Sequence, residues 1–265
     1  MSMSLFVQSG TTEFTPTEHS LGPWSRDLLH GGPVAALLAH QLQAASLDGN
    51  WFPARLTVDL TRPVPLAKLD VTTTIIRAGR KARLLSAECH NGDALVARAG
   101  LQLIAQVDVP IPPTSPARRW ASEPTRSPEE APRMTPLNRV GDMAFHISSV
   151  EHRSRDNALS GLGAASDWIR VTVDLLAGLP LSPFERVICA ADFGNGISSS
   201  LPYDQYTYVN ADLSVHLFRL PEDEWVLVDA ITHMSDGGVG LAESRLSDRA
   251  GLIGRACQSL VVAPR

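Results

Sequence analysis

His30-Gly31-Gly32-Pro33-Val34-Ala35-Ala36-Leu37-Leu38-Ala39-His40 reads as a tight glycine pair opening an apolar helix. Proline suits the first turn of a helix, where its missing N–H is not needed. From Val34 to Ala39 no polar side chain interrupts the run. The helix therefore has no solvent-facing stripe before His40-Gln41 and must be enclosed on most sides. Downstream, residues 54–106 read as strand-like segments separated by turn residues. A curved antiparallel sheet wrapped around one central helix answers both observations.

Composition narrows the function classes. The chain has 265 residues, 44% of them hydrophobic, enough for a real core and long for one simple domain. Its formal net charge of −5 and pI near 5.9 argue against a nucleic-acid partner, which needs a basic footprint. Cys89, Cys189 and Cys257 are scattered, odd in number and in no CxxC spacing. That pattern argues against a disulfide framework or a zinc site and suits a reducing compartment. The start of the chain has no basic n-region and too short an apolar run for a signal peptide, and no segment approaches membrane-spanning length. The expectation is a cytoplasmic protein with no membrane partner and no metal.

In chain order, residues 5–14 read as a first strand and Gly22-Pro23-Trp24 as a turn before the helix. Strands are expected over 54–60, 70–76, 83–89 and 94–104, with a basic turn cluster of Arg77, Arg80, Lys81 and Arg83 among them. That cluster is either solvated or a partner for phosphates. Over 107–136 prolines recur among Ser, Thr, Arg and Glu, which reads as a linker or strap. A strand over 168–174 follows, then Ser182-Pro183-Phe184-Glu185 as a capping-box start to a second helix running through Asp192 to Gly196. Strands are expected over 208–217, 225–232, 240–246 and 253–262.

The halves also match in wording. Leu56-Thr57-Val58-Asp59-Leu60-Thr61 parallels Val209-Asn210-Ala211-Asp212-Leu213-Ser214, and Val96-Ala97-Arg98-Ala99 parallels Ile253-Gly254-Arg255-Ala256. Two copies of one small domain account for this. Each copy alone would leave a sheet edge open, and joining them edge to edge covers it. The expected division is 1–106, a linker over 107–136, and 137–265.

The order of HGG-plus-helix, four-strand meander, Pro-rich link, ADFGNG, YVNADLSVHL and GRACQSLVV resembles the double-hotdog acyl-CoA thioesterases, including bacterial thioesterase II. The resemblance implies an α+β double hotdog, a fatty acyl-CoA partner and no cofactor. It implies that Asp192, Asn210 and Gln258 hold the hydrolytic water, with asparagine where thioesterase II has threonine. Read alone, Asn210 and Gln258 are ordinary strand polar residues. Homo-oligomer formation is left open.

Thioester hydrolysis needs a general base, a fixed water and donors at the developing oxyanion. Asp192 is the acid of an otherwise apolar helix stretch, and burial strengthens a carboxylate as a base. Asn210 and Gln258 each bring a carbonyl acceptor and an NH2 donor. The first helix has no acid between Pro33 and Ala45, and the second half has no matching glycine pair. One asymmetric site follows, in which Gly31 or Gly32 N–H polarises the thioester carbonyl while Asp192 activates water. Close packing at a turn accounts for the two glycines equally well, and His30 reads as a helix-start hydrogen-bonding residue. The match of Asp192-Phe193-Gly194 to a kinase metal motif is chance, since no companion motif is present, and no G-x-S-x-G elbow points to a serine hydrolase. Two other classes share the fold: a hotdog dehydratase or hydratase, and a catalytically silent acyl-CoA or lipid binder. The first pairs an acid with a histidine near the helix, and no histidine lies within the second helix.

Overall fold

The computed structural model of the chain describes residues 3–46, 49–116, 127–136, 143–154 and 161–265. Its first helix, α1 (Gly31–Ala44), is capped by His30, whose ring accepts from the Gly32 N–H. Gly32 through Ala39 and Leu42 are buried along it. Val34, Leu37, Leu38 and Leu42 are wholly enclosed, and each contributes about 1.5–3 kcal/mol relative to an exposed side chain.

The enclosing wall is the meander β3 (Trp51–Asp59), β4 (Leu69–Ala78), β5 (Ala82–Asn91) and β6 (Ala94–Ala105). Ahead of α1, β1 (Ser4–Gln8) and β2 (Glu13–Pro16) continue the sheet beyond β4. The single strand expected over 5–14 is thus two, because Ser9 N–H donates to Glu13 O and turns the chain around Gly10.

The second half holds β7 (Arg133–Met134), α2 (Phe145–Ser148), β8 (Val150–Arg153), β9 (Ala165–Val171), β10 (Asp174–Leu176), α3 (Pro183–Ala191) and α4 (Gly194–Ile197). It ends with β11 (Tyr206–Asn210), β12 (Asp212–Leu217), β13 (Val226–Met234), β14 (Val239–Asp248) and β15 (Gly251–Pro264). The strand expected over 168–174 stops at Val171, and β10 crosses to pair in parallel with β1 of the first half. Part of the Pro-rich stretch, 117–126, lies outside the described residues; within the rest of it β7 pairs with β8.

The strands among the described residues join one sheet, in the order β10-β1-β2-β4-β5-β6-β3-β12-β15-β14-β13-β9-β8-β7, with β11 also on β15. The halves meet where β3 and β12 pair antiparallel, Asp59 opposite Asp212 and Thr57 opposite Ser214. Within the sheet, α1 and α3 lie against each other. This is an α+β double hotdog, and the edge each half would expose alone is consumed by the other.

The ladder also corrects one of the internal matches. Thr57 opposite Gly100 occupies the place of Ser214 opposite Cys257, and Pro53 opposite Leu103 that of Asn210 opposite Leu260. Arg98 and Arg255 then do correspond, but Leu56-Thr57-Val58 corresponds to Leu213-Ser214-Val215 rather than to the stretch beginning at Val209. Both halves have an irregularity at the same place, Ala54 in one and Ala211 in the other, so the correspondence runs through it without a change of spacing.

Candidate active site

The position of Asp192 is set at both ends of α3. Ser182 Oγ accepts from Glu185 N–H (3.3 Å) and Glu185 Oε2 from Ser182 N–H (2.7 Å), a reciprocal cap that fixes where the helix begins. The continuous helix expected through Gly196 does not form: α3 ends at Ala191, Asp192 is its C-cap, and the chain resumes as α4. Asp192 therefore stands at a corner, its side chain aimed at the N-terminus of α1.

Three side chains hold its carboxylate. Oδ1 accepts from Asn210 Nδ2 (3.0 Å) and Gln258 Nε2 (3.2 Å), and the same Gln258 nitrogen donates to Asp192 O (3.1 Å). Oδ2 lies 2.8 Å from His30 Nδ1. That nitrogen is also 3.1 Å from Gly32 N, whose N–H it accepts as the helix cap. A ring nitrogen carries one lone pair or one proton, so a protonated Nδ1 that donates to Asp192 releases the Gly32 N–H. The His30 ring is set by Phe193 and Phe145, with centroids 4.9 and 5.1 Å away.

Gly31 is what lets the halves approach. A Cβ there would lie 2.9 Å from Asp192 Oδ2 and 3.0 Å from Oδ1. A carboxylate at a helix N-terminus is also favoured by the partial positive charge there. One turn earlier on α3, burial pushes the Cys189 thiol well up, helped by the Glu185 and Asp192 carboxylates, so it stays a neutral thiol.

His30, Gly31, Asp192, Asn195 and Asn210 all line one cavity of about 460 Å³; Gln258 supports Asp192 from behind. The rest of the wall is mainly apolar and aromatic, with Trp24, Tyr203 and Tyr208 in series at ring distances of 6.2 and 4.8 Å. Among the described residues no group of His, Cys, Asp and Glu is placed to hold a metal ion. None of them forms a helix long and apolar enough to cross a membrane.

Residues 21–103 match the family model of the acyl-CoA thioesterase N-terminal domain, and residues 107–262 that of the C-terminal domain. The chain belongs to the acyl-CoA thioesterase family. No curated protein matches it. Among solved structures it is similar to a Novosphingobium aromaticivorans protein proposed to be a thioesterase, with 21% identity, TM-score 0.72 and 97% and 98% of the two chains covered. It is likewise similar to a hot dog fold protein of unknown function from Alicyclobacillus acidocaldarius (14% identity, TM-score 0.74, 97% and 95% covered). An acyl-CoA thioesterase II from Mycobacterium marinum shares 13% identity at TM-score 0.66, with 98% and 95% covered.

Among the described residues the N-terminal half of this family member lacks the two amides of the constellation. By register, Pro53 stands where Asn210 does, and Leu101 where Gln258 does. Two features of the site escaped the sequence reading. One is the direct contact of His30 with Asp192. The other is Asn195, whose Nδ2 donates to Asn210 Oδ1 (3.0 Å) and whose N–H donates to Gln258 Oε1 (3.0 Å). A signal existed for Gln258: Ala256, Gln258 and Leu260 share the inner face of β15, so a lone amide sits in an apolar series. Among the described residues Arg62 is the arginine or lysine in the cavity wall, and none of Arg77, Arg80, Lys81 and Arg83 lines it. Arg83 instead packs over Trp51, 4.3 Å from the ring centre.

Proposed function

We propose that this chain hydrolyses a fatty acyl-CoA to the free acid and CoA, with Asp192 as general base. The carrying observation is a buried carboxylate in the wall of an apolar cavity, gripped on one oxygen by two amide donors and facing a histidine on the other. The acyl chain lies against the Trp24–Tyr203–Tyr208 side of the cavity. The carboxylate takes a proton from water as the water oxygen attacks the thioester carbonyl. Gly31, at the first position of α1, has no partner for its N–H within the helix and serves as the backbone donor to the oxyanion. Gly32 joins it when His30 Nδ1 is protonated. The tetrahedral intermediate collapses with loss of the CoA sulfur, and the proton held by Asp192 passes to that thiolate. Gln258 gives both N–H groups of its amide to Asp192 and acts on the water through the carboxylate it orients, whereas Asn210 gives one and keeps a second for the water. Positioned bases of this kind contribute about 10²–10⁴-fold in rate.

The free thiols Cys89, Cys189 and Cys257 suit a reducing compartment such as the cytoplasm, and the N-terminal hotdog (1–106), linker and C-terminal hotdog (137–265) are retained as the proposed division. The test is thiol release from short, medium and long acyl-CoA substrates, with and without Asp192→Asn. No release by the wild type, or full activity in the variant, overturns the assignment. The His30–Asp192 contact favours one alternative: a histidine facing a carboxylate also suits reversible addition of water to an enoyl thioester. Loss of enoyl absorbance without thiol release would mark that activity.

A further inference from the structure

We infer that Asn195 is a positioning residue for this site: its amide decides which way the Asn210 amide faces, and so which atom Asn210 presents to Asp192. This deepens the proposed role of Asp192 and rests on it. Asn195 lies on α4, 6% exposed, three residues after Asp192. Its Nδ2 donates to Asn210 Oδ1 (3.0 Å) and to Tyr208 O (3.4 Å), and its backbone N–H donates to Gln258 Oε1 (3.0 Å). Each contact to a neighbouring amide takes the oxygen of that amide. Only the nitrogens remain for the carboxylate, and both reach Asp192 Oδ1.

A carboxamide turned over exchanges O and N with almost no change in shape. Released from Asn195, the Asn210 amide is free to set its oxygen against Asp192, replacing an attraction with a repulsion. The fold accepts a cost for preventing this: Asn195 Oδ1 is buried with no hydrogen-bond partner. Turning Asn195 over would not relieve that cost, because Oδ1 would then face Asn210 Oδ1 and Tyr208 O, both acceptors. Gly194 belongs to the same device. A Cβ there would stand 2.9 Å from Gln258 Oε1 and 2.6 Å from Ser244 Oγ, blocking the approach of α4 to the sheet.

The experiment is a double-mutant cycle on thiol release, using N195A, N210A and N195A/N210A, with D192N as control. N195A and N210A are each expected to lower kcat about tenfold or more, the scale of one hydrogen bond to a charged group. The double variant is expected to be no slower than N210A, because Asn195 acts through Asn210. N195A should lower kcat with little change in KM for acyl-CoA, whereas a general loss of structure would move both. Wild-type kcat in N195A, or losses that multiply in the double variant, overturns the positioning role. Full kcat in D192N overturns the base assignment and the inference with it. If N195A does not fold, N195L, similar in size, uncharged and lacking the donor, replaces it in the same cycle with the same expected outcome.

Discussion

His30 Nδ1 and Asp192 Oδ2 meet 2.8 Å apart where the start of α1 faces the end of α3, one residue from each half of the molecule. In the proposed mechanism their contact makes catalysis depend on both halves. Asp192→Asn should cut thiol release by about 10²- to 10⁴-fold while the thermal midpoint stays near that of the wild type. His30→Asn keeps a good helix cap, since asparagine is among the best N-cap residues, but removes the imidazole. Its melting curve should match the wild type while kcat falls. Parallel melting and steady-state measurements check both variants.

Gly31→Ala tests the closeness of the approach. The added Cβ would sit 2.9 and 3.0 Å from the two Asp192 oxygens, so the carboxylate must leave its hydrogen bonds to Asn210 and Gln258. Alanine also favours helix over glycine by roughly 0.5–1 kcal/mol, which offsets part of the strain. The expected result is a loss of activity far larger than any drop in melting temperature, read by the same two assays.

Arg62 is the only lysine or arginine in the cavity wall among the described residues, and it is solvent-exposed. A guanidinium there suits the phosphates of coenzyme A. Arg62→Ala should raise KM for acyl-CoA several-fold, and raise it much less for the same acyl group on N-acetylcysteamine, which carries no phosphate. Equal effects on the two substrates would remove Arg62 from phosphate recognition.

Arg219 and Asp248 give a stability prediction away from the site. Asp248 is buried, which pushes its carboxyl up, but Arg219 Nη1 and Nη2 donate to it at 2.6 and 2.5 Å. Glu222 and Ala250 N–H add further bonds, and together these hold it below the usual carboxylate range. A carboxyl depressed in the folded state stabilises above its unfolded value, near pH 4, and that contribution disappears as pH falls through the folded value. Arg219→Ala removes both guanidinium donors from this buried carboxylate and should cost about 3 kcal/mol at neutral pH. In urea titrations the gap from wild type should narrow below about pH 4.

Much of the chain was legible before any coordinates. An unbroken apolar run from Val34 to Ala39 cannot sit on a surface, so an enclosed helix followed from hydrophobicity, and the strand pattern over 54–106 supplied the sheet around it. The capping box at Ser182 likewise located the start of α3, because its chemistry is local. Asp192 was recognisable as the acid between apolar helix and glycines, and of the two repeated stretches the one around Arg98 and Arg255 was a true correspondence while the other was out of register. Breaks in elements were harder to read. The end of α3 at Asp192, the interruption of β11 and β12 at Ala211, and the crossing of β10 to β1 all exchange local hydrogen bonds for distant ones.

Sequence alone therefore pointed to an enclosed helix among strands and to two like halves through periodicity and local chemistry, and to the double hotdog and the site residues Asp192, Asn210 and Gln258 through its family resemblance. The tertiary structure decided which oxygen of Asp192 meets which partner, that His30 comes to it from the other half, and that Asn195 holds Asn210. Hydrogen bonds act over about 3 Å, and only the docking of α1 on α3, and of α4 on β15, brings groups so far apart in the chain within that reach.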